Sequence, residues 1–384
     1  MIAAERVAIR EEFGDAFAGR PALVTGADGF LGSQLVDGLV ELGADVHAVV
    51  RASSRTALRN ITTEPDRITV HAVDLTDYEA VLAAVRALSA TTEPAYVFHL
   101  GAQVHVGESW RRPYETVQVS TRGTLNVVEA LVMTGCSVEK VEVAGTSEVY
   151  GPFDADRRDQ YRLDDDGCVV LDETAPLNPG SIYATAKLAA NFLALNYHDA
   201  YGVPCLVART FHTFGPRQTP QTVTGRVIAR ALIGEPISLG PVAPRRDFSY
   251  SVDTMRARLH LALTGRPGEV YCVGRGEAVS IGDWGRLIVD TGIAAGFWGE
   301  QEITTVGDDD RPGTRQDAIR SDTAKLRSDT GWLPVIDQAE ALRRTIAWYA
   351  TYPDRWLDRV DGLTDRAGAA RAVEQACRRA RLNG

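Results

Sequence analysis

The chain has 384 residues, of which 45% are hydrophobic and 24% charged, and its formal net charge is −10 at neutral pH. This composition is typical of a globular protein with a substantial core, and the negative balance disfavours binding to nucleic acid or to an anionic membrane surface. There is no run of eighteen apolar residues, no N-terminal signal core, and no zinc-ligand spacing among the five cysteines and seven histidines, so we expect no membrane span, disulfide framework or metal site, and a cytoplasmic protein.

Residues 1–19 are predicted to form an N-terminal arm or a short leading helix. Residues 20–210 then alternate β-branched runs with helical patterns. The predicted strands are Pro21–Thr25, Asp45–Val50, Ile68–Val73, Tyr96–Leu100, Val138–Ala144 and Val203–Arg209, and a long helix is predicted from Ser181 to Tyr201. Strands that alternate with helices through short connections indicate a parallel sheet covered on both faces. The sequence therefore predicts an α/β protein with a Rossmann-type doubly wound sheet.

The rest of the chain is less regular. Residues 152–178 are rich in Asp and Arg and lack periodicity, which indicates a surface insertion that could act as a lid, an oligomer contact or a solvated loop. Residues 211–360 are predicted to form a smaller mixed α/β substrate lobe, interleaved with the first domain. Its predicted helices are Gly225–Ile233, Ile281–Thr291 and Asp337–Tyr349. Residues 361–384 are predicted to be a helical tail without an assigned function.

A glycine-rich turn follows the first predicted strand. Gly26, Gly29 and Gly32 surround Phe30 and Leu31 at the start of a helical pattern. Glycines allow the backbone to turn tightly and to approach a pyrophosphate, and the helix N-terminus offers unpaired N–H groups. Because the turn lies between a strand and a helix, the pattern favours dinucleotide binding over a purely structural turn.

The end of the second strand bears on the choice between NAD and NADP. An NAD enzyme usually offers a carboxylate to the adenosine ribose there, whereas this chain has Arg51, followed by Ser53, Ser54 and Arg55. These side chains could receive a 2′-phosphate, but Arg51 could equally stack on the adenine of NAD. Asp74 and Leu75, after the third strand, are predicted to meet the adenine.

Two further motifs carry acid–base side chains. Thr146, Ser147 and Glu148 follow a predicted strand, and Tyr183 and Lys187 are spaced i, i+4 on a helical pattern, so that both project from one face. An ammonium group beside a phenol favours the phenolate and lowers its pKa. The pair is therefore a candidate base for a hydroxyl whose carbon loses hydride.

The order of these motifs identifies a family resemblance. TGADGFLG, DLTD, VFHLGAQV, GTSEVYG, SIYATAK, RTFHTFGPRQ and RRDFSYSVDT lie within about residues 20–350. In this order they resemble an extended short-chain dehydrogenase/reductase of the NAD-dependent epimerase/dehydratase family. Within that family the chain looks most like the nucleotide-sugar 4,6-dehydratases, and DDDRPGTRQDAIRSDTAKL is similar to a tail of hexose dehydratases.

The resemblance implies a role for each residue. Thr146 would bind the sugar O4, Tyr183 would take its proton, Lys187 would hold the tyrosine and the nicotinamide ribose, and Glu148 would take the C5 proton. Ala102 would join the cofactor-binding residues. The implied contacts to a nucleotide-diphosphate sugar are Ser147, His212, Arg217 and Arg246.

Two of these substrate positions depart from the family pattern. Ser147 stands where many hexose dehydratases have Asp, and His212 replaces the usual Asn. The resemblance also implies a homodimer, through helices such as Thr121–Val132 and Ser181–Tyr197.

Other readings of the same motifs stay open. A nucleotide-sugar epimerase needs only the Tyr/Lys pair, and a UDP-glucuronate decarboxylase shares the Thr-Ser-Glu pattern. A non-catalytic nucleotide sensor is disfavoured because Tyr183 and Lys187 are both present. Glu148 is the residue that separates a dehydratase from a simple epimerase.

Overall fold

The computed structural model of the protein describes residues 2–51, 58–88, 93–153, 155–306 and 318–383. The strands are β1 Pro21–Thr25, β2 Asp45–Val50, β3 Ile68–Ala72, β4 Ala95–His99, β5 Val138–Thr146, β6 Arg162–Leu163, β7 Val169–Leu171, β8 Cys205–Thr210, β9 His212–Phe214, β10 Ile237–Leu239, β11 Arg245–Arg246, β12 Phe248–Tyr250, β13 Val270–Val273, β14 Val279–Ser280, β15 Ile303–Thr305 and β16 Ile319–Ser321. The helices are α1 Ala3–Phe13, α2 Phe30–Glu41, α3 Tyr78–Leu88, α4 Val106–Arg111, α5 Pro113–Val117, α6 Gly123–Thr134, α7 Ile182–Tyr201, α8 Val223–Ile233, α9 Ser251–Thr264, α10 Ile281–Ala294, α11 Ala324–Thr330, α12 Gln338–Thr351 and α13 Arg366–Asn383.

The central sheet has seven parallel strands in the order β13-β8-β5-β4-β1-β2-β3. The chain moves outward from β1 to β3, returns to the other side of β1 at β4, and then moves outward again. This reversal confirms the predicted doubly wound fold. In such sheets the ligand crevice opens at the carboxyl ends of the strands where the order reverses, here between β1 and β4.

Helices cover both faces of the sheet. All five residues of β1 are buried, as expected for a strand with no solvent-facing side. One face packs against α3, α6 and α7 through a cluster that includes Val85, Val127 and Ala194. The other face packs against α2 and α9 and continues into the helices of the smaller lobe. The core is therefore continuous between the sheet and the lobe.

The smaller lobe consists of short strand pairs and helices. β9 pairs with β12, β10 with β15, and β11 with β14. Trp284 of α10 stacks on Phe248 with ring centroids 4.5 Å apart and meets Phe214 edge-on at 4.8 Å. The buried aromatic rings thus fix β9 and β12 against α10. None of the helices in the described part of the chain has the length and apolar character that a membrane span requires.

The insertion at 152–178 contains a small sheet. β6 and β7 are antiparallel, and β7 pairs in parallel with β16, which lies about 150 residues further along the chain. All three residues of β7 are buried, and ion pairs join Arg162 to Asp322 and Arg320 to Asp164. Residues 162–171 are therefore held on the smaller lobe rather than forming a solvated loop.

The N-terminal arm is a docked helix. Ile9, Phe13 and Phe17 are buried in the core. Glu12 accepts two hydrogen bonds from the guanidinium of Arg256, at 2.5 and 2.6 Å, and lies 2.7 Å from His260 on the same helix, α9. Burial alone would raise the pKa of Glu12, but the hydrogen bonds from His260 and Arg256 outweigh it and lower the pKa from 4.5 to about 2. The arm is thus fixed by the ionic hydrogen bonds of Glu12 as well as by apolar burial.

We expect Glu12→Gln to lower the free energy of unfolding by about 1 kcal/mol, because it weakens the bidentate, charge-assisted hydrogen bonds with the guanidinium of Arg256. Glu11→Gln, an exposed neighbour on the same helix, is the matched control. Because the folded-state pKa of Glu12 is depressed, the difference should be present above pH 4.5 and shrink as the pH falls towards 2. Equal midpoints of urea unfolding for the two variants would show that the hydrogen bonds of Glu12 do not hold the arm.

Candidate active site

The glycine turn after β1 forms a cradle that side chains would fill. Gly26 has a φ of +67°, and a Cβ on Gly32 would lie 2.2 Å from the carbonyl oxygen of Gly26. Gly29 caps α2 without a side-chain hydrogen bond, so the first N–H groups of the helix stay available for an anion. Phe30 and Leu31, the first residues of α2, are partly exposed beside the turn. These features fit the pyrophosphate of a dinucleotide.

A buried hydrogen-bonded chain holds this cradle against β4. Thr25 Oγ1 accepts a hydrogen bond from Gly101 N at 3.0 Å and lies 2.8 Å from His99 Nδ1, and His99 Nε2 lies 2.9 Å from Thr124 Oγ1. A Cβ on Gly26 would lie 3.0 Å from the backbone of Gly101. The ends of β1 and β4 can therefore approach closely, and Ala102 follows directly at the mouth of the crevice. The motif VFHLGAQV contains this histidine, but sequence reasoning assigned it no role.

Asp28 organises the next loop. Its carboxylate accepts hydrogen bonds from the backbone N–H groups of Arg59, Asn60 and Ile61, at 3.2, 2.8 and 3.3 Å. The chain between β2 and β3 is thereby tied to the glycine turn. Sequence reasoning missed this residue, although an Asp within a glycine-rich turn is a common loop-fixing side chain.

The residues predicted to meet the adenosine lie close together. Arg51 is exposed at the end of β2, and its charge contributes to lowering the pKa of Asp74, after the hydrogen bonds from Thr76. Leu75 packs against Gly101 and Gly123 and is fixed by a 2.8 Å hydrogen bond from Asn126 to its carbonyl oxygen. Ser53, Ser54 and Arg55 lie outside the described residues.

The residues predicted to be catalytic meet at the carboxyl end of β5. Thr146 is the last residue of β5, and its side chain hydrogen-bonds to Tyr183 of α7. Ser181 caps α7 through a 3.1 Å hydrogen bond from Ala184 N, so the helix begins just before Tyr183. Lys187 lies one turn further on and is 4% exposed. Thr146 and Tyr183 are thus brought together, and Lys187 lies one helical turn from Tyr183 in the buried part of α7.

Burial controls the protonation of this pair. It raises the pKa of Tyr183 to about 12, with Glu148 adding to the rise and the Thr146 hydrogen bond opposing it. It also lowers the pKa of Lys187 to about 8, where Arg258 adds to the fall and Glu142 opposes it. Desolvation therefore dominates the pKa of Tyr183, whereas the sequence argument expected Lys187 to lower it.

Glu148 lies beside Arg246 and the pair of Tyr183 and Thr146. Burial raises the pKa of its carboxyl, and the nearby guanidinium of Arg246 opposes the rise. Arg246 also lies near His212, whose pKa burial and this arginine lower to about 3. Ser147, the neighbour of Glu148, is 2% exposed. A carboxyl group with a raised pKa is suited to move protons near neutral pH.

Asp247 fixes the strand that carries Arg246. This fully buried carboxylate accepts hydrogen bonds from the backbone of Arg275 and Gly276, both at 2.9 Å, and from the backbone and hydroxyl of Ser321, at 3.0 and 2.6 Å. Two separate segments therefore converge on the residue next to Arg246. Sequence reasoning did not single out Asp247, because its partners lie far away in the chain.

The structure does not bring Arg217 into this cluster. Its guanidinium forms a buried ion pair with Asp37 of α2 and also donates to Thr62 Oγ1 at 3.1 Å. Arg217 is the one non-glycine among the described residues with a positive φ, at 72°. Its ion pair with Asp37 holds the 216–218 turn on α2, and the contact of Arg217 with substrate phosphates stays a prediction.

The known proteins that resemble this chain include nucleotide-sugar 4,6-dehydratases and a nucleotide-sugar 4-epimerase. The family model described as GDP-mannose 4,6-dehydratase matches residues 23–345. A dTDP-glucose 4,6-dehydratase of Neisseria gonorrhoeae is 30% identical, over 85% of this chain and 94% of that protein. A GDP-mannose 4,6-dehydratase of Yersinia enterocolitica is 27% identical, over 85% and 93%. The solved UDP-glucose 4-epimerase of Thermus thermophilus, in complex with NAD, is 27% identical, covers 86% of this chain and 98% of its own, and has a TM-score of 0.70.

We expect the purified protein to release NAD or NADP on denaturation, and Gly32→Ala to release much less. The new Cβ would lie 2.2 Å from the Gly26 carbonyl oxygen, so the cradle must shift, while alanine itself favours the helix. Gly240→Ala is the matched control, because no atom lies within 4 Å of a Cβ at that position. Full dinucleotide retention in Gly32→Ala, measured by chromatography of the supernatant, would refute binding at this turn.

Proposed function

The chain belongs to the GDP-mannose 4,6-dehydratase family, and from that membership we propose that it is an NAD-dependent nucleotide-sugar 4,6-dehydratase. The observation that carries the proposal is the placement of Glu148. A half-buried carboxyl group with a raised pKa lies two residues beyond Thr146, in the electrostatic reach of Tyr183. A reaction that only oxidises and reduces C4 needs no such group, whereas removal of a proton from C5 does.

The cofactor in this proposal is NAD. The cradle of Gly26, Gly29 and Gly32 would hold its pyrophosphate, and Lys187 would hold its nicotinamide ribose. NAD supplies a hydride acceptor for C4 and a hydride donor for C6. The relative from Thermus was solved with NAD, and exposed Arg51 at the adenosine end keeps NADP as the alternative.

Oxidation at C4 begins with the sugar hydroxyl. Tyr183 takes the O4 proton as the C4 hydride leaves, and Thr146 holds the same oxygen by a hydrogen bond. Lys187 stabilises the phenolate, which burial alone disfavours. The ketone formed at C4 makes the C5 hydrogen acidic, because the carbanion can delocalise onto the new carbonyl.

Elimination then uses Glu148. Its carboxylate removes the C5 proton and delivers it to the departing C6 hydroxyl, which leaves as water. Ser147 cannot act as a separate acid, so one carboxyl group performs both transfers. Addition of hydride at C6, with transfer to C5 of the proton that Tyr183 took from O4, completes a redox-neutral reaction and leaves both side chains as they began. Arg246 would contact the diphosphate, while its charge limits the rise in the pKa of Glu148.

A nucleotide-sugar 4-epimerase is the second candidate, and the likeness to the Thermus epimerase favours it. Mass spectrometry of products from GDP-, dTDP- and UDP-sugars separates the two. Loss of one water supports the dehydratase, loss of carbon dioxide indicates a decarboxylase, and an unchanged mass indicates an epimerase. The proposal places the enzyme in the cytoplasm, in keeping with five cysteines that are all free.

We expect Glu148→Gln and Tyr183→Phe to stop the reaction at different steps. Tyr183→Phe removes the group that accepts the O4 proton, so reduced cofactor should not appear when substrate is added. Glu148→Gln leaves oxidation intact, so reduced cofactor should accumulate without exchange of the C5 hydrogen in heavy water. Turnover should fall by about 10²–10⁴-fold in each, measured by absorbance and mass spectrometry.

Glu374→Gln, on the exposed face of α13, is the control and should leave turnover unchanged. In the unaltered enzyme, the acid limb of kcat/KM should lie above pH 4.5, because the pKa of Glu148 is raised and the base must be deprotonated. Near-normal turnover of Glu148→Gln would favour the epimerase.

The proposed enzyme is a homodimer through the helices next to the site. Residues 113–134 form one helical run, α5 to α6, with a π-helical turn at Gln118–Arg122. This run packs beside α7, and both carry large exposed apolar side chains. They are Tyr114, Val117 and Met133 on the first, and Phe192 and Tyr201 on the second. Exposed apolar side chains on adjoining helices are typical of a subunit interface.

We expect Phe192→Glu to produce a monomer in light scattering at micromolar concentration, because it places a charge at the centre of an apolar interface. Phe192 is 49% exposed in the single chain. Val335→Glu, at a 65% exposed valine on a different surface, should keep the dimer mass. A monomeric unaltered protein would contradict the proposed assembly.

A further inference from the structure

A buried histidine lies between two threonines at the edge of the sheet where the crevice opens. His99 is the last residue of β4 and is 1% exposed. Its Nδ1 lies 2.8 Å from Thr25 Oγ1 at the end of β1, and its Nε2 lies 2.9 Å from Thr124 Oγ1 in the first turn of α6. Because the strand order reverses between β1 and β4, this is the part of the sheet where a dinucleotide binds in folds of this kind.

The other partners of the two threonines determine the direction of each hydrogen bond. Thr124 Oγ1 donates its single proton to the carbonyl oxygen of Ser120 at 2.7 Å, so it can only accept from the histidine ring. Nε2 therefore carries a proton. Thr25 Oγ1 accepts from the backbone N–H of Gly101 at 3.0 Å, which leaves its own proton for Nδ1. All four hydrogen bonds form together when His99 is neutral and protonated at Nε2.

A second proton on the ring would break this arrangement. A proton on Nδ1 would point at Thr25 Oγ1, which already accepts from Gly101, and the threonine proton would lose its acceptor. Burial and the charge of Lys187 act in the same direction, and they lower the pKa of His99 to about 3. The hydrogen bonds and the surroundings therefore favour the same neutral form.

These hydrogen bonds fix the backbone of Gly101 against the glycine turn. A Cβ on Gly26 would lie 3.0 Å from the backbone of Gly101, so the two backbones are nearly in contact. The Gly101 N–H is a buried donor that would be costly to leave unpaired. Thr25 can accept from it because the proton of Thr25 is given to His99. The histidine thus acts on the cofactor turn through Thr25.

The other end of the network is attached to the helix that carries the catalytic pair. The carbonyl oxygen of Ser120 belongs to the π-helical turn Gln118–Arg122, which precedes α6. Thr121, in the same turn, donates a 3.0 Å hydrogen bond to the carbonyl oxygen of Ala186, the neighbour of Lys187 in α7. The acceptor that orients the histidine is therefore held in place by α7.

We propose that His99 is a positioning residue for the dinucleotide: its neutral Nε2–H form orients the Thr25 hydroxyl for Gly101 and so preserves the shape of the glycine turn. This inference deepens the proposed function and rests on it for the identity of the bound group. His99 keeps one tautomer throughout, so the tautomer can be measured without substrate.

Nitrogen NMR of the purified protein tests the tautomer. The chain has seven histidines, and His99→Gln assigns the ring signals of His99 in protein labelled with ¹⁵N-histidine. At about one pH unit below the ordinary histidine pKa of 6.5, we expect a proton on Nε2 and none on Nδ1. A cationic ring, or a proton on Nδ1, overturns the proposal. Thr124→Ser perturbs the same signals and assigns them if His99→Gln does not fold.

Cofactor affinity tests the consequence for the glycine turn. Thr25→Val is nearly isosteric but leaves the Gly101 N–H unpaired, so its affinity for the dinucleotide that the protein releases should fall about tenfold in equilibrium dialysis. Thr25→Ser keeps the hydroxyl and should restore the affinity. The matched control is Thr345→Val, at a buried threonine of α12 that also donates to the carbonyl four residues before it. Equal affinities of Thr25→Val and Thr345→Val overturn the proposal, and Thr124→Val gives the same comparison if Thr25→Val does not fold.

Activity separates this inference from the proposed function. In excess dinucleotide the turnover of Thr25→Val should return towards that of the unaltered enzyme, because the network acts on the cofactor turn. If the tautomer and the affinities are as expected but no nucleotide sugar is converted, the proposed function fails and the role of His99 stands. If nucleotide sugars are converted but Thr25→Val binds the dinucleotide as Thr345→Val does, the inference about His99 fails alone.

Discussion

Exclusion of water from the carboxyl end of β5 is the constraint on which the site depends. Burial moves each ionisable group there towards its neutral form: it raises the pKa of Tyr183 and Glu148 and lowers that of Lys187 and His212. In such surroundings a single fixed charge has a much larger effect than it would in water. The few charges left near the site therefore decide which groups can exchange protons.

The fold produces this exclusion through the order of its strands. β5 is an interior strand between β4 and β8, and helices cover it on both faces. The reversal between β1 and β4 opens the crevice next to it, where Gly26 and Gly101 approach each other. The smaller lobe then contributes β9 and β11, which bring His212 and Arg246 to Glu148. Asp247 fixes that contribution, because its hydrogen bonds hold three segments of the lobe together.

Two buried arginine–carboxylate pairs show that the same chemistry has different uses. Arg217 and Asp37 hold a turn and the loop after β2 against α2, in a conformation with a positive φ. Arg258 and Glu142 join α9 to the middle of β5, and Arg258 also donates a hydrogen bond to Thr210 at the end of β8. The structural role of a buried arginine therefore depends on which carboxylate and which segments it joins.

The sequence by itself determined the features that arise from local geometry. The strands of the sheet follow from hydrophobic runs, the cofactor turn from the spacing of Gly26, Gly29 and Gly32, and the Tyr183–Lys187 pair from the pitch of a helix. Only the tertiary structure decided the electrostatics. Arg217 and Asp37 are 180 residues apart and Arg258 and Glu142 are 116 apart, and β7 pairs with β16 across a similar distance. Backbone sterics act between near neighbours and leave a periodic pattern, whereas the partner and the burial of a charge depend on side chains that only the folded chain brings together.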